Sequence, residues 1–325
     1  MREVAFIKQN KEKWLRFEQS ITGKVIQNNP DELANLYIHL MNDLSYAQTY
    51  YPKSKLVTYL NHLASQSYLK IYTTKRTSKN IFVKFFTEDV PLAAYQYRKQ
   101  LYYAFLFFAL FTAIGVFSSA NNQEFARQIL GNHYIDQTLE NIKNGDAVAV
   151  YKGGSTWGSF IGITFNNLKV GALLFLSGIT AGIGTGYIMM ENSIMVGVFQ
   201  YFFHQENAFW ESVRGIWIHG SFEIFAMIIE CGAGFIIASS MFFPKTLSRK
   251  NAFKIGIRDA FKIFLSTIPF TIVAGFLEGY ITRLSNVMPH FLSYGIILSC
   301  LSFITYYYLI YPHRVYKRIT NHTLS

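Results

Sequence analysis

The chain has 325 residues, of which 51% are hydrophobic, 17% aromatic and only 15% charged, with a formal net charge of +11. From Leu101 onward long runs carry almost no charge, which takes the chain out of the ordinary soluble classes and into the membrane class. The basic residues cluster beside these apolar runs and no nucleic-acid module is present, so membrane lipids, not nucleic acid, are the expected partner of the positive charge.

Residues 1–97 read as a cytoplasmic helical domain. "MREVAFIKQNKEKW" has no apolar signal-peptide core. Trp14, Phe17 and Ile21 follow at helical spacing, and Gly23 stands as a C-terminal cap. Pro30 with Asp31 and Glu32 opens the next helix, along which Leu33, Leu36, Tyr37, Leu40, Leu44 and Ala47 share a face. Pro52 interrupts the pattern, which resumes at Lys55. Three or four antiparallel helices are expected here.

Residues 98–325 read as a transmembrane domain. Leu101–Ser119 is long and apolar enough to cross a bilayer as a helix. A polar extracytoplasmic segment, 120–160, carries Glu124, Asp136, Glu140 and Asp146 and ends in the Gly-rich "YKGGSTWGSF". Further spans are read at Leu168–Met190, Gly215–Met241, Ala260–Thr282 and Phe291–Tyr311. Five crossings would leave the basic loop after Met241 outside, against its charge, so an extra crossing is expected within Asn192–Trp210. That gives six crossings in a bacterial inner membrane with both termini cytoplasmic. Asn251–Phe264 reads either as an amphipathic interfacial helix or as the basic entry to the next span. Cys231 and Cys300 sit inside apolar runs and read as small hydrophobes.

Ionisable residues inside spans are functional candidates, because hydrocarbon solvates them poorly. His219, Glu223 and Glu230 fall within about 40° of one another around one helix. Glu278 occupies another span with Thr282 one turn on, and Gly275 and Gly279 permit close approach there. Glu191 lies near the end of the second span. Three readings compete: a structural His–Glu pair, a proton- or ion-handling site, and catalysis, including a metal site on His219, Glu223 and Glu278. No His-Glu-x-x-His pattern exists, so no catalytic residue, metal or cofactor is assigned. For Glu230, Ser239 or Arg214 is the expected partner. Gly178, Gly182 and Gly186 form a small-residue packing stripe rather than a phosphate loop, since no strand precedes them.

"NNLKVGALLFLSGITAGIGTGYIMMENSIMVG", "IHGSFEIFAMIIECGAGF" and "GFLEGYIT", in this order, resemble the stage II sporulation protein M family of bacterial and archaeal membrane proteins. "LANLYIHLMNDLSYAQTYYPKSKLVTYLNHL" is similar to the helical extension of its larger members. The family core maps onto His219, Gly220 and Glu223, and Asn166, Asn167, Gly178, Gly182, Thr185, Glu278 and Thr282 match other signature positions. Asn192-Ser193 departs from the family's frequent Asn-Gly pair. The resemblance implies an all-α polytopic helical bundle. The founding member is similar to a scaffold that anchors peptidoglycan-degrading partners. The expected function is therefore a scaffold or partner-docking component of a cell-envelope complex, not an enzyme, with protein partners and room for a homo-oligomer. A proton- or ion-coupled transporter using Glu223, Glu230 and Glu278 is the alternative. An intramembrane hydrolase using His219 and Glu223 is the third reading.

Overall fold

Apolar residues at helical spacing make helices along the whole chain, and the computed structural model holds no strand among its described residues, 2–22, 30–72 and 80–323. The chain divides into two compact units, residues 1–79 and 80–325.

The described residues of the first unit form three helices: α1 (Glu3–Thr22), α2 (Pro30–Tyr50) and α3 (Lys55–Tyr72). Their apolar faces meet in a core of Phe6, Trp14, Phe17, Leu40, Leu44 and Leu60. Charge stays at the edge of this core. Trp14 Nε1 donates to Asp43 at 2.8 Å, Lys13 pairs with the same carboxylate at 2.6 Å, and Tyr59 donates to Glu18 at 3.1 Å. The Gly23 cap and the Leu33 side chain lie outside the described residues.

The second unit begins with α4 (Ile81–Lys84), a wide π-turn at Phe85–Asp89, and α5 (Val90–Gln96). The sequence reading put the boundary at 97; the units divide at 79, because this stretch packs on the bundle. Val90, Ala93 and Ala94 enter the main bundle core, Tyr97 donates to the buried Asp259 at 3.5 Å, and Tyr307 donates to the Phe86 carbonyl at 2.9 Å.

Then follow α6 (Arg98–Asn121), the short α7 (Gln123–Leu130) and α8 (Asn132–Lys143), α9 (Thr156–Leu176), α10 (Ile183–Gln205), α11 (Phe209–Phe242), α12 (Arg249–Phe276), α13 (His290–Thr305) and α14 (Tyr311–Thr323). Five helical segments among the described residues are long and apolar enough to cross a membrane: 98–121, 156–179, 209–242, 249–284 and 290–321. Their outer faces leave Leu110, Phe117, Phe165, Leu298 and Leu309 exposed, as lipid-facing helices do.

α11 is the axis, packed by α6, α9, α10, α12 and α13. Small residues let neighbours close on it: Gly178 faces the Gly234 carbonyl so closely that a Cβ there would overlap it.

The structure changes two readings. Leu168–Met190 is not one span. α9 ends at Leu176, and a 3₁₀ turn at Ser177–Ile179 leads to Ala181 and Gly182 with φ of 57° and 81°, after which α10 starts. Gly182 supplies the left-handed conformation that no helix interior holds, so the Gly stripe divides between a turn and a new helix. Thr185 secures the reversal by donating to the Leu174 carbonyl at 2.7 Å. The basic stretch 251–264 is also no separate interfacial helix, since α12 runs unbroken from Arg249 to Phe276 and includes it.

Candidate functional site

Four elements bring polar groups to one place. α11 presents His219, Gly220 and Glu223 on one side, as the i, i+4 spacing requires. α12 ends in a π-turn at Leu277–Ile281, followed by a 3₁₀ turn at Thr282–Leu284. The wide turn places both Glu278 and Thr282 in the interior. α9 contributes Asn166 and Asn167, and α10 closes the far wall with Met195, Val196 and Phe199.

His219, Glu223 and Glu278 converge, with one ligand atom from each lying within 4.8 Å of the others. His219 Nε2 is 3.8 Å from Glu278 Oε2. His219 is 3% exposed and Glu278 8%, so bulk water does not solvate the pair. On its other edge, His219 Nδ1 lies 3.0 Å from the Thr282 hydroxyl, which donates at 3.3 Å to the Gly215 carbonyl. These two contacts hold the Thr282 hydroxyl between the His219 ring and the Gly215 carbonyl and so fix the plane of the imidazole.

These groups do not pack dry. His219, Gly220, Glu223 and Glu278 line a cavity of about 340 Å³ whose remaining walls are apolar, apart from Gln200 and Tyr134. Ile129 and Leu130 of α7 and Tyr134 of α8 close its outer side, so the polar 120–160 segment covers the site. A second cavity of about 190 Å³ shares Glu223 and continues past Asn166, Asn167 and Asn192 to Glu230. Asn167 turns toward Glu223, yet its amide nitrogen reaches no acceptor in hydrogen-bonding geometry.

Glu230 is buried and accepts from Thr267 of α12 at 2.7 Å. Neither expected partner serves it: Ser239 accepts from Gln100 at 3.1 Å, and Arg214 lies 2.6 Å from His290. Space for its carboxylate comes from Gly171, where any Cβ would overlap it. Gly178, Gly182 and Thr185 stand apart from both cavities and build the α9–α10 turn and its contact with α11. Glu191 lies exposed on α10.

Sequence reasoning missed several contributors. Thr267 carries no motif that ties it to Glu230. Arg283, one residue beyond the "GFLEGYIT" motif, grips the Gly-rich loop by donating to the carbonyls of Lys152, Gly153 and Gly154 at 2.9, 2.9 and 3.0 Å. It also reaches Ser159 Oγ at 3.0 Å. The charge inside a motif-flanking turn was the available signal.

A family model described as Stage II sporulation protein M matches residues 104–283, more than half of the chain. The chain belongs to the stage II sporulation protein M family. The matched stretch of this family runs from α6 to Arg283 and contains every residue of the cluster and of the polar walls of both cavities. A second model, a domain of unknown function (DUF8413), matches residues 4–73, which are the three helices of the first unit. An uncharacterized protein of Methanocaldococcus jannaschii is similar, 32% identical over 126 residues, which cover 38% of this chain and 71% of the relative. No solved structure matches.

Proposed function

We propose that this membrane protein is a carrier or channel for a cation, with His219, Glu223 and Glu278 as the binding group and Glu230 as the next station. The carrying observation is that the three side chains meet at a cavity rather than pairing off in dry packing. A carboxylate costs about 3 kcal/mol or more at the centre of a membrane, so two facing one cavity mark a place where a positive charge is received. Glu230 extends the polar track along α11, 11 residues beyond His219 and thus about 16 Å deeper. We keep the extra crossing within Asn192–Trp210, which overlaps the end of α10, so that the basic loop after Phe242 and both termini lie on the cytoplasmic face of a bacterial inner membrane. Purified protein in proteoliposomes is expected to take up monovalent or divalent cations down an imposed gradient. Glu223→Gln and Glu230→Gln should each cut uptake at least tenfold while the protein still assembles. Wild-type protein that moves no cation would sink the proposal.

Anchoring of cell-envelope enzymes is a second reading, favoured by the first unit, which has its own apolar core and matches a family model of its own. The two readings part on Glu223→Gln. A scaffold keeps its partners and its activity in that variant, and a carrier loses transport.

A further inference from the structure

We infer that the cavity at Glu223 and Glu278 receives an organic cation, a primary ammonium group that carries a hydrocarbon tail. This rests on the cation reading and deepens it by naming the class of cation, and binding can be measured without transport.

The carboxylates define the head. One oxygen from Glu223 and one from Glu278 lie within 4.8 Å of each other. An ammonium nitrogen donating two bonds of about 2.8 Å at the tetrahedral angle spans oxygens about 4.6 Å apart, a separation inside that limit. Ionised carboxylates this close repel, and a cation set between them removes the repulsion. Among the described residues no Lys or Arg lines the cavity, so the fold does not supply that charge itself.

The remaining walls define the tail. Val196, Phe199, Ile216 and Ile224 face the same space, and the Phe199 ring stands beside Tyr134 with 6.2 Å between centroids. Aromatic faces attract alkylammonium groups. A metal ion asks for roughly four to eight donor atoms and draws nothing from such walls. Each methylene moved from water onto them, by contrast, favours binding about fourfold. The volume of about 340 Å³ falls at the lower end of small-molecule cavities, roughly 300–1,000 Å³, and exceeds what one bare ion fills. Ile129 and Met195 of the same lining are 39% and 43% exposed, so the apolar side reaches the surface and the tail has a way in. The smaller second cavity shares Glu223 but has Asn166, Asn167 and Asn192 where the first has its aromatic wall, so the tail belongs to the first.

The test titrates full-length protein in detergent with butyl-, hexyl- and octylammonium by calorimetry, with hexanol and sodium as probes of tail and charge alone. Saturable binding of one ammonium per chain is expected, with affinity rising about 15-fold for each two methylenes. Hexanol and sodium should each bind at least about tenfold more weakly than hexylammonium. Glu278→Gln should weaken hexylammonium binding about 10–100-fold, and Phe199→Ala should cut the octyl-to-butyl affinity ratio severalfold. Thermal melts check that the variants fold. Should Glu278→Gln not fold, Phe199→Ala and the wild-type series decide. Hexanol binding as tight as hexylammonium overturns the site, as does affinity independent of chain length, or a folded Glu278→Gln protein that binds hexylammonium unchanged. Sodium uptake by proteoliposomes whose protein binds no alkylammonium would overturn the site and leave the carrier standing. Stoichiometric alkylammonium binding without transport of any cation would uphold the site and remove the carrier.

Discussion

The first unit buries Phe6, Trp14, Phe17, Leu40 and Leu60, and Ser67 is its one buried polar side chain among the described residues. The second unit buries His219, Glu230, Asp259, Glu278 and a series of Ser and Thr hydroxyls, while Leu106, Leu110 and Phe117 face outward. Both are helical bundles without strands among their described residues, and both are built from the same residue types. The solvent each must satisfy separates them. Water rewards an apolar interior, and lipid offers no reward for burying Leu, so the bundle is held by close packing of small residues and by interhelical polar contacts.

Four experiments can break or sharpen that contrast. The largest effect is expected from Trp14→Ala, which empties the first core and removes the bond to Asp43, at a cost of about 3–5 kcal/mol. Hydrogen exchange should show protection lost across α1–α3 and kept in α11; joint loss would mean the two cores are one cooperative system.

Next comes a matched pair, since Ile38 is 56% exposed and Leu110 57%. Ile38→Lys should leave the melt unchanged. Leu110→Lys, at the middle of α6, should cost about 3 kcal/mol in insertion, read by glycosylation-based insertion assays. Equal tolerance at both positions would dissolve the distinction between the two surfaces.

A smaller effect follows from Thr267→Val, which strips Glu230 of its donor and should cost about 1–3 kcal/mol in a detergent melt, with Thr267→Ser neutral. A neutral valine would show that Glu230 finds another partner.

The smallest concerns Tyr59, whose hydroxyl is pushed up from 10.0 to about 12 by burial first and by the Glu18 carboxylate next. The raised value means that the protonated form is favoured in the fold, so its contribution is intact below pH 10 and fades as pH climbs to about 12. Tyr59→Phe should flatten that alkaline loss in exchange measurements of α3, and an unchanged slope would count against the Glu18 contact.

Much of this architecture is legible in the sequence because lipid imposes length and apolarity on each crossing helix, and those are one-dimensional properties. The placement of His219 and Glu223 on one side of a helix is legible for the same reason, being a helical spacing. What escapes is what depends on a second chain segment. Glu278, 59 positions along the chain from His219, meets it where the π-turn at 277–281 brings it inward, and no periodicity encodes that meeting. The turn at 177–182 escapes too, since its small uncharged residues read as part of a packing stripe, and the positive φ of Ala181 and Gly182 is a backbone property that no periodicity shows. The boundary at 79 is hidden because 80–97 has the polarity of a soluble segment yet docks Val90 and Ala94 into the bundle.

α11 has 34 residues, so it is about 51 Å long, against a hydrocarbon core of about 30 Å. A rod that exceeds the thickness it crosses must lean or protrude. Its Phe209 end carries Glu211 and Arg214, and Arg214 is tied to His290 at the start of α13. His219, Glu223 and Glu230 are rigidly fixed to this same rod. Tilting the shaft by its protruding end would therefore shift all three groups at once against Glu278 and Thr267, which belong to a different helix. The polar groups are thus divided between two rods, so a change of angle between them would alter their spacing with no side chain needing to unfold.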